Sequence, residues 1–255
     1  MPEKKKKPHK IKWTGDTFNV FGGCTNESEA CRYCYARGMS NRLESFIPLY
    51  NDTVKKTPMG EIQWTGIINF MPSGFDKVKA RKSPQLWFAN SMSDVFHPSV
   101  SVETIDEFFS LLESTPQHTF QVLTKRAEKM KMYFSIRKNG VPKNVWLGVT
   151  CEDVKSGIDR INFLRNIHAP IKFLSVEPLL EDLGKLNLKG IDWVIVGGES
   201  GANARPMQVE WVRNIKTQCA EQGVKFFFKQ WGSANQAELG RLFEGREWND
   251  MPEWK

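Results

Sequence analysis

The chain has 255 residues, of which 40% are hydrophobic and 25% charged, with a formal net charge of +7, the profile of an ordinary globular protein with one large core or two modest ones. No apolar run approaches the roughly 18 to 20 residues that span a bilayer, and the basic N-terminus lacks the apolar stretch of a signal peptide. Five cysteines, an odd number grouped unlike a secreted disulfide framework, point to a reducing compartment, so the expected location is the cytoplasm.

The positive charge favours a polyanionic partner, since Lys and Arg gain affinity by releasing counterions from phosphates. Four of those charges are the consecutive lysines at 4–7, which read equally well as a solvated tail, and residues 1–10 are expected to form a basic flexible tail. A short β-like run follows at 17–21 and leads through Gly22-Gly23 into Cys24, Cys31 and Cys34. These are three of the five cysteines, within eleven residues. Thiols at this spacing suit zinc or an iron–sulfur cluster, and a complete structural site of either kind uses four protein ligands. No fourth is adjacent, so one coordination position would be open to a substrate or cofactor. Zinc could instead recruit His9 or His97.

After the cysteines, Ala36, Met39, Leu43 and Phe46 recur at helical spacing and predict a helix that ends before Pro48. Residues 64–71 read as a strand. A regular rhythm then begins, with short apolar runs at 86–89, 120–123, 145–149, 171–174, 193–196 and 224–228. Helical stripes lie between them. Ile105, Phe108, Phe109 and Leu112 form one; Ile158, Ile161 and Leu164 a second; Val209, Val212, Ile215 and Cys219 a third, which stops at Gly223.

Strands apolar throughout and alternating with helices indicate a parallel sheet covered by helices, either doubly wound or a barrel. Polar groups follow nearly every run, at 90–94, 124–126, 150–153, 175–177, 197–200 and 229–231. Six such clusters suit the single mouth of a barrel better than the edge of an open sheet. The expected class is therefore α/β, a single-domain full or partial TIM-like (β/α) barrel over 11–232. Residues 233–255, with Trp248 and Trp254, are expected to form an extension packed on it.

Strand, cysteine loop, helix and repeated βα units together resemble the radical S-adenosylmethionine (SAM) enzymes. Cys31-Arg32-Tyr33-Cys34 matches the second half of their motif, whereas the first gap here is six residues where those enzymes have three. The resemblance implies a [4Fe–4S] cluster on Cys24, Cys31 and Cys34, SAM on its open iron, an external electron donor, and Tyr33 beside the adenine. Segments 13–35, 91–94 with 96–98, 119–126, 173–180, 194–206, 227–232 and 244–252 resemble the phage and bacterial three-Cys-motif proteins. Their layout is similar in turn to spore photoproduct lyase, which repairs a thymine dimer in DNA. These resemblances imply that Asp94, with Ser91 and Ser93 beside it, meets the methionine amino group. They also imply that Thr150 and Glu152 lie at the ribose, and that Gly197 and Gly198 let backbone approach the adenine.

Structural roles compete with several of these. Ser93 or Asp94 could cap a helix, and Asp153 could start one. Glu177 and Glu199 could bind substrate together with Lys125, Arg126 and Lys229, or simply pair with Lys125, Arg126, Arg205 or Lys229. Cys151 could donate a hydrogen atom to a substrate radical or be small packing. The expected function is a radical SAM enzyme acting on a nucleobase in DNA, by an isomerase, lyase or transferase reaction. The same chemistry on a nucleotide, peptide or small metabolite is the first alternative. A zinc-binding, nucleic-acid-binding phage accessory protein is the alternative of another class.

Overall fold

The computed structural model describes residues 11–232 and 240–254; the lysines at 4–7 and His9 lie outside them. The first strand, β1 (Asp16–Phe18), is followed by β2 (Phe21–Gly22), the cysteine loop, and helix α1 (Tyr35–Leu43). A connection then carries β3 (Val54–Lys56), β4 (Ile62–Trp64), β5 (Asn69–Phe70) and the short α2 (Asp76–Ala80). From there strands and helices alternate: β6 (Leu86–Ala89), α3 (Val102–Glu113), β7 (Thr119–Thr124), α4 (Ala127–Ile136), β8 (Val145–Thr150), α5 (Val154–Arg165) and β9 (Ile171–Val176). The series ends with β10 (Trp193–Gly197), α6 (Val209–Glu221) and β11 (Lys225–Gln230).

The main sheet has seven parallel strands in the order β1-β6-β7-β8-β9-β10-β11. Strand order follows chain order, with no switch point, so the sheet curls in one sense as in a (β/α) barrel. Its end strands β1 and β11 do not pair with each other, which makes it a partial barrel. The segment 240–254 covers the β11 edge. Phe228 N donates to Trp248 O (2.9 Å), Phe227 and Asn249 form an antiparallel bridge, and Trp193 Nε1 donates to Asp250 O (2.7 Å).

Both faces of this sheet are buried, which is why its strands read as continuous apolar runs. Trp87, Phe120, Val122, Leu147, Leu174, Val194 and Phe228 pack outward against Ile105, Phe109, Leu164 and Ile215 of the helices. The alternate positions Phe88, Trp146, Phe173, Trp193 and Phe227 fill the concave side around Trp13. Trp13 lies 4.7 Å from Phe88, 6.1 Å from Phe173 and 6.3 Å from Trp193, ring to ring. Gly148 makes room for this layer, since a Cβ there would sit 2.3 Å from the Phe173 ring.

Three expectations shift. The run at 17–21 is divided between β1, which ends at Phe18 and pairs with β6, and β2, which begins at Phe21 and pairs with β5. The run at 64–71 is not one strand: β4 ends at Trp64, Gly66 turns the chain with φ +86°, and β5 pairs with β2 instead. Helix α1 ends at Leu43, short of Phe46, which is 80% exposed and so has no buried face to extend the helix along.

Candidate active site

Strand side chains alternate in facing, so the concave series continues beyond the aromatic floor into a polar mouth. Trp146 and Gly148 lead to Thr150 and Glu152, Phe173 to Ser175 and Glu177, Ile195 to Gly197 and Glu199, and Phe227 to Lys229. Most of the predicted polar residues meet there, each carboxylate already held by a cation.

Asp94, after β6, accepts from Thr124 Oγ1 (2.7 Å), Lys125 N (3.1 Å), Phe96 N (3.0 Å) and Arg126 Nη1 (2.9 Å). It caps no helix; Ser101 caps α3. Glu152 is fully buried, with Lys125 Nζ at 2.9 Å and Arg160 Nη1 at 2.8 Å, and it also accepts from the Ser28 hydroxyl. Burial alone would raise its pKa, but Lys125 and then Arg160 outweigh that and hold it down to about 2. Glu177 accepts from Trp13 Nε1 (3.0 Å) and Ser175 Oγ (3.1 Å). Lys229 Nζ lies 2.8 Å from its Oε1, a charge contact without hydrogen-bond alignment. Glu199 pairs with Arg205 at 2.7 Å; burial raises its pKa, and Arg205 lowers it further than burial raises it.

The cysteine loop is laid against this mouth by its own polar residues. Asn90, in the left-handed region at φ +59° that Asn tolerates, uses Oδ1 to accept from Val20 N (2.9 Å) and Phe21 N (3.2 Å). Ser93 Oγ donates to Gly23 O (2.5 Å), one residue before Cys24. Gly23 has φ +89°, and a Cβ there would fall 2.0 Å from Ile67 O, so only glycine fits. Arg126 Nη2 donates to Thr25 O (3.2 Å) and Thr25 Oγ1 (2.9 Å), and its Nη1 lies 3.9 Å from Cys24 Sγ. Arg205 Nη1 reaches Glu29 at 3.4 Å. Thr25, Ser28 and Glu29 all belong to the six-residue gap, so the longer gap supplies tethers to the ends of β7, β8 and β10.

Cys31 is buried, and Cys24 and Cys34 are half-buried. Glu27 N donates to Cys31 Sγ (3.4 Å). Burial pushes Cys24 up to about 12, with Asp94 adding to the rise and Arg126 opposing it. Burial also raises Cys34. Among the described residues, no three His, Cys, Asp or Glu side chains are gathered closely enough to hold an ion. The chemistry of the donor set nonetheless fits an iron–sulfur cluster: three thiols on one loop, with N–H donors aimed at two of the sulfurs. It fits a closed zinc site poorly. His97, the described candidate for a fourth ligand, has Nε2 2.9 Å from Thr25 Oγ1 and Nδ1 accepting from Ser99 N at 3.2 Å.

A family model described as protein of unknown function (DUF5131) matches residues 8–252. The chain belongs to the DUF5131 family. That description, and not the three-Cys-motif name, is the one the match carries. A search of curated proteins finds no match to this DUF5131 chain. Among solved structures it is similar to a double mutant of spore photoproduct lyase with bound AdoMet and dinucleoside spore photoproduct, at TM-score 0.43 and 10% identity over 80% of this chain. A point mutant of spore photoproduct lyase gives TM-score 0.40 and 12% identity over 79%. The chain spans 61% and 60% of those two structures.

The remaining predicted residues fall in different places. Ser91 O accepts from Tyr35 OH (2.6 Å), and Ser91 Oγ reaches Asn19 Oδ1 at 3.4 Å. Thr150 is buried, its carbonyl accepting from Arg160 Nη1 (3.1 Å). Gly197 and Gly198 have a packing reason: a Cβ would lie 2.8 Å from Glu177 Oε1 at the first and 2.2 Å from Gly232 N at the second. Cys151 does not line the mouth. It is fully buried with the helix-side core, and a Cβ on Gly157 would lie 2.2 Å from its sulfur. Asp153 caps α5 through Ser156 N (2.7 Å). Tyr33 and Cys34 face a cleft of about 1050 Å³.

Sequence reasoning missed Arg160 and the loop anchors Thr25 and Ser28. Arg160 did leave a signal, because Gly157, Arg160, Ile161 and Leu164 form one buried helical stripe, and a charge in such a stripe calls for a buried counterion.

Proposed function

We propose that this chain is a radical SAM enzyme whose Cys24, Cys31 and Cys34 hold a [4Fe–4S] cluster and whose substrate is a nucleobase in nucleic acid. The observation that carries the reading is the placement of a three-thiol loop, tethered to the ends of several strands, at the polar mouth of a sequential parallel partial barrel. When bound, the cluster and SAM supply one-electron chemistry that abstracts a hydrogen atom from an unactivated carbon, and an external electron donor completes the electron count.

The chain's own residues hold, orient and shield. Cys34 opens the loop to the cleft, so the cofactor side of the site is reached from there. Tyr33 lines the cleft with the Arg32 and Arg205 guanidiniums each 5.5 Å from its ring centroid, and, set between Cys31 and Cys34 in sequence, is the aromatic side chain for adenine to lie beside. Asp94, Glu152 and Glu199 spend their charge on Arg126, Lys125, Arg160 and Arg205. They therefore act by fixing the loop. Below them the Trp13, Phe88, Phe173 and Trp193 layer closes the barrel floor to water. The charge of +7 suits a phosphate-bearing substrate.

The test is anaerobic incubation of the purified protein with SAM and a strong reductant. Release of 5′-deoxyadenosine that is lost in Cys31→Ala supports the reading. No release under any reductant, from protein shown to contain iron and sulfide, refutes it. Nucleoside mass spectrometry of DNA and RNA exposed to the active protein then identifies the modified base.

A further inference from the structure

The cleft beside Cys34 is lined in part by the β3–β4 hairpin, which the main sheet does not include. The hairpin contributes Glu61, Ile62, Gln63 and Trp64, and Arg32, Tyr33 and Arg37 line the same cleft. Trp64 is half-buried, its base packed against the cluster of Ala36, Leu49, Tyr50 and Met92, which holds the indole in place. Arg37 is half-buried and anchored by Nη2 to Arg32 O (2.7 Å). The cleft's acidic lining is Glu29 and Glu61, and Glu29 is already occupied by Arg32 (3.2 Å) and Arg205 (3.4 Å). A volume of about 1050 Å³ stands at the upper end of the ~300–1,000 Å³ of small-molecule sites, enough for one ligand on Cys34 and a second against the hairpin.

We propose that this hairpin wall is the substrate subsite, taking a nucleobase with its phosphate from a single strand, the base stacked on Trp64 and the phosphate held by Arg37. A fixed indole beside guanidinium groups is the arrangement that binds single-stranded nucleic acid with little regard to sequence, because every base has a ring face. The proposal rests on the nucleic-acid reading above and gives that reading its contact residues. A free nucleotide offers the same base and phosphate, and the probes below separate the two sources.

The test is fluorescence anisotropy of a labelled ten-residue oligothymidylate with the full-length, anaerobically purified protein, with thymidine 5′-monophosphate as competitor. Trp64→Ala is expected to weaken oligonucleotide binding about tenfold, with Trp64→Phe recovering most of it. Arg37→Gln is expected to lower the log–log salt slope by about 0.7, one single-strand phosphate contact. Because Trp64→Ala also removes packing, Arg37→Gln, with its melting point checked against wild type, is the independent probe. Competition by the mononucleotide at its own low concentration assigns the cleft to free nucleotides; competition only at vast excess assigns it to a strand. Wild-type affinity and salt slope in both variants overturn the proposal. Iron content of the same wild-type sample reports on the cluster separately: a colourless protein that still binds through Trp64 sinks the radical reading and leaves this subsite standing.

Discussion

The Ser28 hydroxyl donates to Oε1 of Glu152, a carboxylate 124 residues further along the chain. This bond fastens the middle of the cysteine loop to the end of β8, and the carboxylate is itself fixed by Lys125 and Arg160. Ser28→Ala removes one hydrogen bond to a charged group, worth about 1.5–3 kcal/mol. The loss is at the loop, so iodoacetamide should label Cys31 about tenfold faster in metal-free protein, with a melting point lower by several degrees at most. Glu152→Gln is more severe, because it leaves two cations unpaired at a buried site, and it should cost about 3–5 kcal/mol in denaturant unfolding.

Stability should fall in acid through the same carboxylate. Glu152 has its folded pKa held down from 4.5 to about 2. A depressed carboxylate contributes stability that is fully present above pH 4.5 and is lost as pH falls from there through 2. Urea midpoints measured across that window should drop for wild type and stay flatter for Glu152→Gln. Equal slopes in the two proteins would remove Glu152 from the account.

Cys151 stands under α5 against Gly157 and away from the mouth. Cys151→Ala should therefore leave the product distribution unchanged. Gly157→Ala should cost about 1–3 kcal/mol by overpacking against the Cys151 sulfur, and a Cys151→Ala, Gly157→Ala double variant should recover part of that. A new product in Cys151→Ala would restore the hydrogen-donor role.

Gly148 and Phe173 are paired in register between β8 and β9, and the ring occupies the space a Gly148 side chain would need. Gly148→Ala should lower stability by about 1–3 kcal/mol, read by thermal melting, and Phe173→Leu in that background should offset part of the loss. Additive losses in the double variant would show that the two residues do not share that space.

The strands and the three stripes were legible because burial on both sides of a parallel sheet writes itself as apolar runs, and amphipathic helices as a 3.6-residue period. Residues 193–196 lie within Trp193–Gly197, and the stripe ending at Gly223 is α6, Val209–Glu221. The β3–β4 hairpin was not legible: Val54–Lys56 shows the burial pattern of one inward and two exposed residues, too short for a period. The split of 64–71 was signalled by Gly66 alone. At the site, the cysteines and the strand-end carboxylates stood out by type and position. The pairing cations Arg205 for Glu199 and Lys229 for Glu177 were among those anticipated, but the loop and floor contacts were not, because Ser28 to Glu152, Thr25 to Arg126 and Trp13 to Glu177 are contacts across more than 100 residues, and no local pattern encodes such a pairing.

Whether loop 24–34 holds an iron–sulfur cluster is decided by metal analysis of anaerobically purified protein. A brown protein with about four iron and four sulfide per chain is expected, its broad visible absorption lost in Cys31→Ala. A colourless protein carrying one zinc and no sulfide would contradict it.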